Sequence, residues 1–306
     1  MREQALIASG ALALAWWLDT RFGEPRNAWH PVAWLGACLT PLGRPLAGWS
    51  PVPAFVGGAA LWLATVCLVG LTAAWLQRQL LALPTWAGLP LLALALKPAF
   101  AWRMLRDEVT AVEAAFTSGL PAARERLSRL CSRDVSVLDA TAVRETAIET
   151  LAENLNDSLV APLVAFALGG LPGAWIWRAV NTMDAMWGYR GRWEWAGKWA
   201  ARADDLLAWA PARLAALLLW HPRIKLSRLR REAQRTPSPN GGWPMAAMAL
   251  RLDVHLGKPG VYVLHADGEA AQSGHVAAAL RVAHKAAALA LLLAMITVLA
   301  MGGRWS

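Results

Sequence analysis

Cysteine is scarce in this chain: Cys38, Cys67 and Cys131 are the only three in 306 residues, and no two form a CxxC pair. That excludes a disulfide framework and a thiolate metal centre as organising features. No GxxxxGK[ST] occurs, and no GxGxxG follows a strand-like run, so neither a P-loop nor a dinucleotide-binding fold is supported. The six histidines, His30, His221, His255, His265, His275 and His284, show no HExxH or comparable ligand spacing. Ordinary loop or interfacial histidines are expected at all of them except His30. Charged residues are only 17% of the chain, and acids are outnumbered by bases, 21 to 30. The excess of nine positive charges falls mostly at 103–144, 178–202 and 221–235, between apolar stretches. This is the pattern of positively charged cytoplasmic loops rather than of a nucleic-acid surface, with an anionic small-molecule substrate as the second explanation.

The chain is rich in apolar sequence. Hydrophobic residues make up 57% and there are 19 tryptophans, well outside the soluble globular norm. Apolar stretches near 5–18, 53–76, 80–96, 158–177, 205–220 and 284–301 approach the ~20 residues a helix needs to cross the hydrocarbon core. The first lacks a small-residue cleavage site and is read as a retained helix. The tryptophans are chiefly interfacial anchors or core. The fold expected is all-α: one polytopic membrane domain over 1–306, with re-entrant or broken helices and amphipathic helices on the cytoplasmic side. Full spans are expected near 5–18, 53–76, 80–96 and 284–301. Partial or full ones are expected near 158–177 and 205–220, with polar catalytic regions at 103–157, 178–204 and 221–260. The Gln77-Arg78-Gln79 break marks the turn of a hairpin between 53–76 and 80–96.

Within 103–157 charges alternate with Leu, Val and Ala at helical intervals. Glu145, Glu149, Glu153 and Asp157 recur every four residues, each about 40° from the last on a helix, forming one acidic stripe. Like charges at that spacing repel, so cations or a metal should answer them. The stripe runs directly into 158–177, which Gly169, Gly170, Pro172 and Gly173 interrupt in mid-course. Two half-helices meeting at a turn are the favoured reading, against a single crossing. Broken helices at membrane depth are tolerated where they line a protein cavity. Carboxylates and amides beside membrane-grade sequence mark a functional site.

The blocks DTRFGEPRNAWHPVAWLG from Asp19, SRDVSVLDATAVRETAIETLAENLNDSLVAPL, GGLPGAWIWRAVNTMDAMWGYR, WAARADDLLAWAPARL and TPSPNGGWPMAAMALRLDVHLGKPG follow one another along the chain. In this order and spacing they resemble the adenosylcobinamide-phosphate synthase family, membrane enzymes of cobalamin biosynthesis. The resemblance covers most of the chain. It rests on Glu153-Asn154, Asn181-Thr182-x-Asp184, Gly188-Tyr189, Arg202-x-Asp204-Asp205, Pro211-x-Arg213 and Ser238-Pro239-Asn240-x-Gly242-Trp243-Pro244. One departure is Met245, where an acidic residue is expected.

The resemblance implies an ATP-dependent amide bond between a propionate carboxylate of adenosylcobyric acid, a corrinoid, and (R)-1-aminopropan-2-ol or its O-phosphate. A carboxylate is a poor electrophile, so such ligations usually phosphorylate it first, with Mg²⁺ held by hard oxygen ligands. Glu149, Glu153, Asp157 and Asp184 are the catalytic candidates, and Glu153, Asp157, Asp184, Asp204 and Asp205 the metal candidates. The alternative for these acids is ion pairing with Arg144, Arg178, Arg190 or Arg202. Those arginines otherwise suit phosphate oxygens. Asn154 and Asn181 suit substrate amides, and His30, Arg178, Tyr189, Arg190, Arg202 and Asn240 complete the substrate-binding set. One carboxylate acts as base toward the amine. The partners expected are these substrates and membrane lipid, with no nucleic acid, and other enzymes of the pathway can dock on the basic loops. The rival reading is a non-catalytic membrane sensor of the same superfamily, favoured only by Met245. A transporter is more remote, because no inverted repeat is visible.

Overall fold

The computed structural model describes residues 2–302. In chain order it places α1 (Arg2–Phe22), α2 (Pro31–Gly43), α3 (Pro51–Leu81), α4 (Thr85–Leu96), α5 (Trp102–Ala115), α6 (Leu120–Leu127), α7 (Ala140–Leu155), α8 (Ala161–Trp187), α9 (Lys198–Leu207), α10 (Trp209–Leu219), α11 (Leu226–Ala233) and α12 (Gly242–Leu252). An antiparallel pair follows, β1 (Leu256–Lys258) with β2 (Tyr262–Leu264), and α13 (Ser273–Met301) ends the series. The all-α expectation holds, since this hairpin is the only sheet among the described residues. Three stretches are long and apolar enough to cross a membrane, Pro51–Leu81, Ala140–Trp187 and Ser273–Met301. The bent pair Thr85–Ala99 and Trp102–Ser118 is a fourth if it counts as one span. At 11 residues, α10 is too short to cross.

The chain forms two compact units. The first comprises Met1–Ala101, Ala161–Leu207 and Leu291–Ser306. In it α1 packs on α4, and α3 on α8. The buried face of α3 is made of small residues, including Ala54, Gly58, Gly70 and Ala73, while Leu68, Leu71 and Trp75 point outward. Small residues let helix backbones approach closely. A Cβ on Gly58 would meet the Ala196 carbonyl at 2.1 Å. The turn expected at Gln77-Arg78-Gln79 falls instead at Ala82–Pro84, because Gln77 is a buried residue inside α3 with a partner of its own.

That partner is the break in α8. Gly170 adopts φ 64° and ψ −154°, outside helical geometry. A Cβ on Gly173 would lie 2.2 Å from the carbonyl of Ala165. In an unbroken helix those residues stand about 12 Å apart. The chain therefore doubles back here, and the broken helix read from Gly169, Gly170, Pro172 and Gly173 is present. The Leu171 N–H, freed by the break, donates to Gln77 Oε1 at 2.7 Å in a buried setting.

The second unit comprises Trp102–Val160 and Ala208–Ala290. Its centre is α7, whose N-cap Asp139 accepts from Ala142 N at 2.8 Å. Most of this helix is buried, Glu145, Thr146, Glu149 and Thr150 included. Helices α5, α6 and α12 and strand β1 pack around it, while α12 also contacts α10 and α11. The amphipathic helices expected over 103–157 are found as α5 and α6, whereas α7 is buried over most of its surface. After Leu155 the backbone passes through a π-helical turn, Asn156–Val160, a feature frequent at functional sites.

Candidate functional site

In the second unit Glu145 and Glu149 of the acidic stripe are buried on α7, and each meets a different neighbour. Glu145 faces His255 Nε2 at 2.7 Å. Glu149, almost wholly buried, pairs with an Arg133 Nη at 2.6 Å and accepts from the Tyr262 hydroxyl. Burial and the adjacent Glu149 push the Tyr262 phenol above its ordinary range, keeping it a protonated donor. Arg133 also donates to Thr146 Oγ1 at 2.9 Å and to the Gly257 carbonyl at 3.2 Å, tying α7 to the hairpin.

Glu153 differs from these two. It is half-buried and has neither a hydrogen bond nor an ion pair among the described residues, and the like charge of Glu149 acts on it more strongly than the distant Arg133 and Lys258. The turn before α12 comes close to it: a Cβ on Gly241 would sit 2.7 Å from Glu153 Oε1 and 3.5 Å from Met245 Cε. With no side chain at Gly241, that space is left to the carboxylate. Met245 is buried, with its sulfur 3.9 Å from the Tyr262 hydroxyl. Asn154 is half-buried on α7. Asp157 lies in the π-helical turn, so the α-helical period does not carry the stripe to it, and it accepts from Asn156 Nδ2 at 2.8 Å. Asn240 Oδ1 accepts from Arg213 at 2.6 Å. Arg144, named as a partner for the stripe, instead grips Glu113 with two bonds of 2.9 Å.

The first unit holds the other acidic motifs. Arg178 donates to the Ala99 carbonyl at 3.1 Å and to Asn181 Oδ1 at 3.5 Å, and Asn181 Nδ2 donates to Asp204 at 3.3 Å. Asp184 is within electrostatic reach of Asp205. Burial lifts the Asp205 carboxyl above its ordinary range, against the pull of Arg202. Gly188 allows the chain to turn over Asp184, since a Cβ there would fall 2.1 Å from Asp184 Oδ1. Tyr189, Arg190 and Arg202 are exposed.

A second buried cluster in this unit joins Lys97 to Asp19, at 3.1 Å, and to Glu24. His30 completes it. Its Nδ1 accepts from Val32 N at 3.2 Å, so Nε2 carries the proton and donates to Glu24 at 2.6 Å. Burial alone would raise the Glu24 carboxyl, but the His30 bond and the Lys97 ammonium outweigh it and hold it below 4.5. Sequence reasoning missed Lys97, Arg133 and Tyr262. Lys97 was detectable as a single charge ending an apolar run. Arg133 and Tyr262 carry no periodic signal. Among the described residues no three His, Cys, Asp or Glu side chains converge as a ready metal cage.

The CobD/Cbib protein family matches residues 12–292. A Thermococcus kodakarensis protein named "probable cobalamin biosynthesis protein CobD" is 41% identical over 263 residues, covering 82% of each chain. "Cobalamin biosynthesis protein CobD" of Rhodobacter capsulatus is 37% identical over 84% of this chain and 82% of its own. The protein of that name from Dehalococcoides mccartyi is 35% identical over 83% and 85%. No solved structure matches.

Proposed function

This chain belongs to the CobD/Cbib protein family and takes part in cobalamin biosynthesis, and on that premise we propose that it is an ATP-dependent ligase. It joins a propionate carboxylate of adenosylcobyric acid to (R)-1-aminopropan-2-ol or its O-phosphate. The observation that carries the reading is Glu153, the carboxylate of α7 left without a cation or donor among the described residues, beside Gly241 in the turn before α12. A carboxylate kept unmatched while its neighbours at 145 and 149 are matched is available to a substrate.

The substrate carboxylate takes the γ-phosphoryl group of ATP, releasing ADP. The amine then attacks the acyl carbon, phosphate leaves, and the amine proton passes to a protein carboxylate, for which Glu153 is the candidate. Glu149 is held by Arg133 and Tyr262 and positions the helix beside it. The donors that suit Mg²⁺ are hard carboxylate oxygens, Glu153 and Asp157 in one unit and Asp184, Asp204 and Asp205 in the other. Bound Mg²⁺ would supply neutralisation of the phosphate charge. Arg178, Asn181, Asn154, Tyr189, Arg190, Arg202, Asn240 and His30 remain the substrate-binding candidates. The active region is proposed to face the cytoplasm from the cell membrane, with other pathway enzymes docking on the basic loops.

The test is the full chain reconstituted in lipid with adenosylcobyric acid, Mg²⁺-ATP and aminopropanol O-phosphate, with the amide and ADP detected by mass. Product that needs ATP and disappears in Glu153→Gln supports the ligase. A folded protein that binds the corrinoid but forms no product moves the weight to the non-catalytic reading that Met245 favours.

A further inference from the structure

A cleft of about 700 Å³ opens in the second unit, lined by Trp209 and Arg213 of α10, Arg230 of α11, and Ser238, Pro239 and Trp243 of the following loop and helix. Its volume is that of a small-molecule site. No Asp or Glu lines it. Arg213 stands between two indoles, its guanidinium carbon 4.7 Å from the Trp209 ring centre and 4.8 Å from that of Trp243. It donates to the Trp209 carbonyl, to Asn240 Oδ1 and to the Pro239 carbonyl, at 2.9, 2.6 and 3.0 Å. Among the described residues those three bonds leave Nε–H and one Nη2–H of its five donors without a partner. Arg230 makes no side-chain hydrogen bond or ion pair among the described residues, although Glu232 stands on the same short helix and pairs instead with Arg235.

We propose that this cleft binds a phosphate ester that carries an apolar or planar body. The phosphate is taken by the spare donors of Arg213 and by Arg230, and the body lies on the indole and proline walls. Two arginines without a carboxylate among the lining residues select an anion, and a planar guanidinium favours phosphate over a spherical one. Because Arg213 is already fixed by two rings and three acceptors, little side-chain freedom remains to be lost when the ligand binds. An anionic phospholipid and a soluble nucleotide both present this chemistry, and the site stands whether or not the chain is the ligase proposed above.

The test uses the full chain in phosphatidylcholine nanodiscs. One arm adds phosphatidylglycerol and counts the molecules retained by native mass spectrometry. The other titrates ADP by calorimetry. Retention or binding that weakens on the order of tenfold or more in both Arg213→Gln and Arg230→Gln supports the site, and the arm that responds identifies the lipid or the soluble ester as the source. Arg213→Lys, which keeps the charge without the fork, is expected to weaken binding as well. Arg230→Gln keeps the test valid if Arg213→Gln fails to fold. The proposal is overturned if neither probe binds, or if Arg230→Gln binds as the wild type does. Neither readout requires turnover, so failure here is separate from failure of the ligase assay.

Discussion

Removing Arg133 isolates a carboxylate that the fold has buried. The Arg133 and Glu149 side chains are only 12% and 3% exposed and meet at 2.6 Å. Breaking such a pair from one side costs about 3–5 kcal/mol, because the remaining charge stays buried without its counter-ion. In Arg133→Met the Tyr262 hydroxyl still donates to Glu149, so the expected loss is near the lower end, about 3 kcal/mol. Glu149→Gln keeps an acceptor oxygen for both neighbours and should cost about 1–3 kcal/mol. The double variant removes both charges together and should cost at least about 2 kcal/mol less than the sum of the singles. Reversible unfolding in mixed micelles, followed by far-ultraviolet circular dichroism, measures all four proteins. Losses that add to within about 0.5 kcal/mol would refute the pairing, and a stable Arg133→Met would show that Glu149 is not charged in the folded chain.

Gln77→Leu leaves the buried Leu171 N–H without an acceptor and should cost about 1–3 kcal/mol in the same assay. Gly170→Ala should also destabilise, since φ is +64° and the new Cβ would fall 2.3 Å from Gln77 Oε1. Glu24, held below 4.5 in the folded chain, contributes stability that is fully present above that value and is lost as pH falls through its lower folded value. An acid titration of stability below pH 4.5 should therefore be steeper in the wild type than in Glu24→Gln. Met245→Leu, a swap of similar volume at a buried site, should change stability by less than about 1.5 kcal/mol. Met245→Glu should be clearly less stable, because it sets a further carboxylate beside the Tyr262–Glu149 pair.

The acidic row was legible because a four-residue repeat is a property of the helix alone. Glu145, Glu149 and Glu153 share a face wherever α7 packs. The break at Gly170 was legible for a similar local reason, since glycine and proline state their backbone limits in the sequence. The hairpin turn was misplaced by a few residues because polar Gln77 reads as a surface residue until its distant partner, the Leu171 N–H, is known. The pairing of the buried acids with their partners was not legible, although Lys97 stands out as a lone charge. Lys97 meets Glu24 from 73 positions away and Tyr262 meets Glu149 from 113, and no periodicity encodes such contacts. Arg144 illustrates the converse, being close in sequence to the stripe yet committed to Glu113.

Those long-range partners sharpen the reading of the site. An unmatched carboxylate cannot be recognised from a stripe, because every acid in it looks alike until its counter-ions are placed. Once His255 is assigned to Glu145, and Arg133 with Tyr262 to Glu149, only Glu153 of the three on α7 lacks a direct partner among the described residues. The π-helical turn then takes Asp157 out of the α-helical series. Glycine at 241 places no side chain beside the remaining acid. His255, Arg133 and Tyr262 hold Glu145 and Glu149 of α7, so the four-residue repeat separates partnered from unpartnered carboxylates only once those partners are placed.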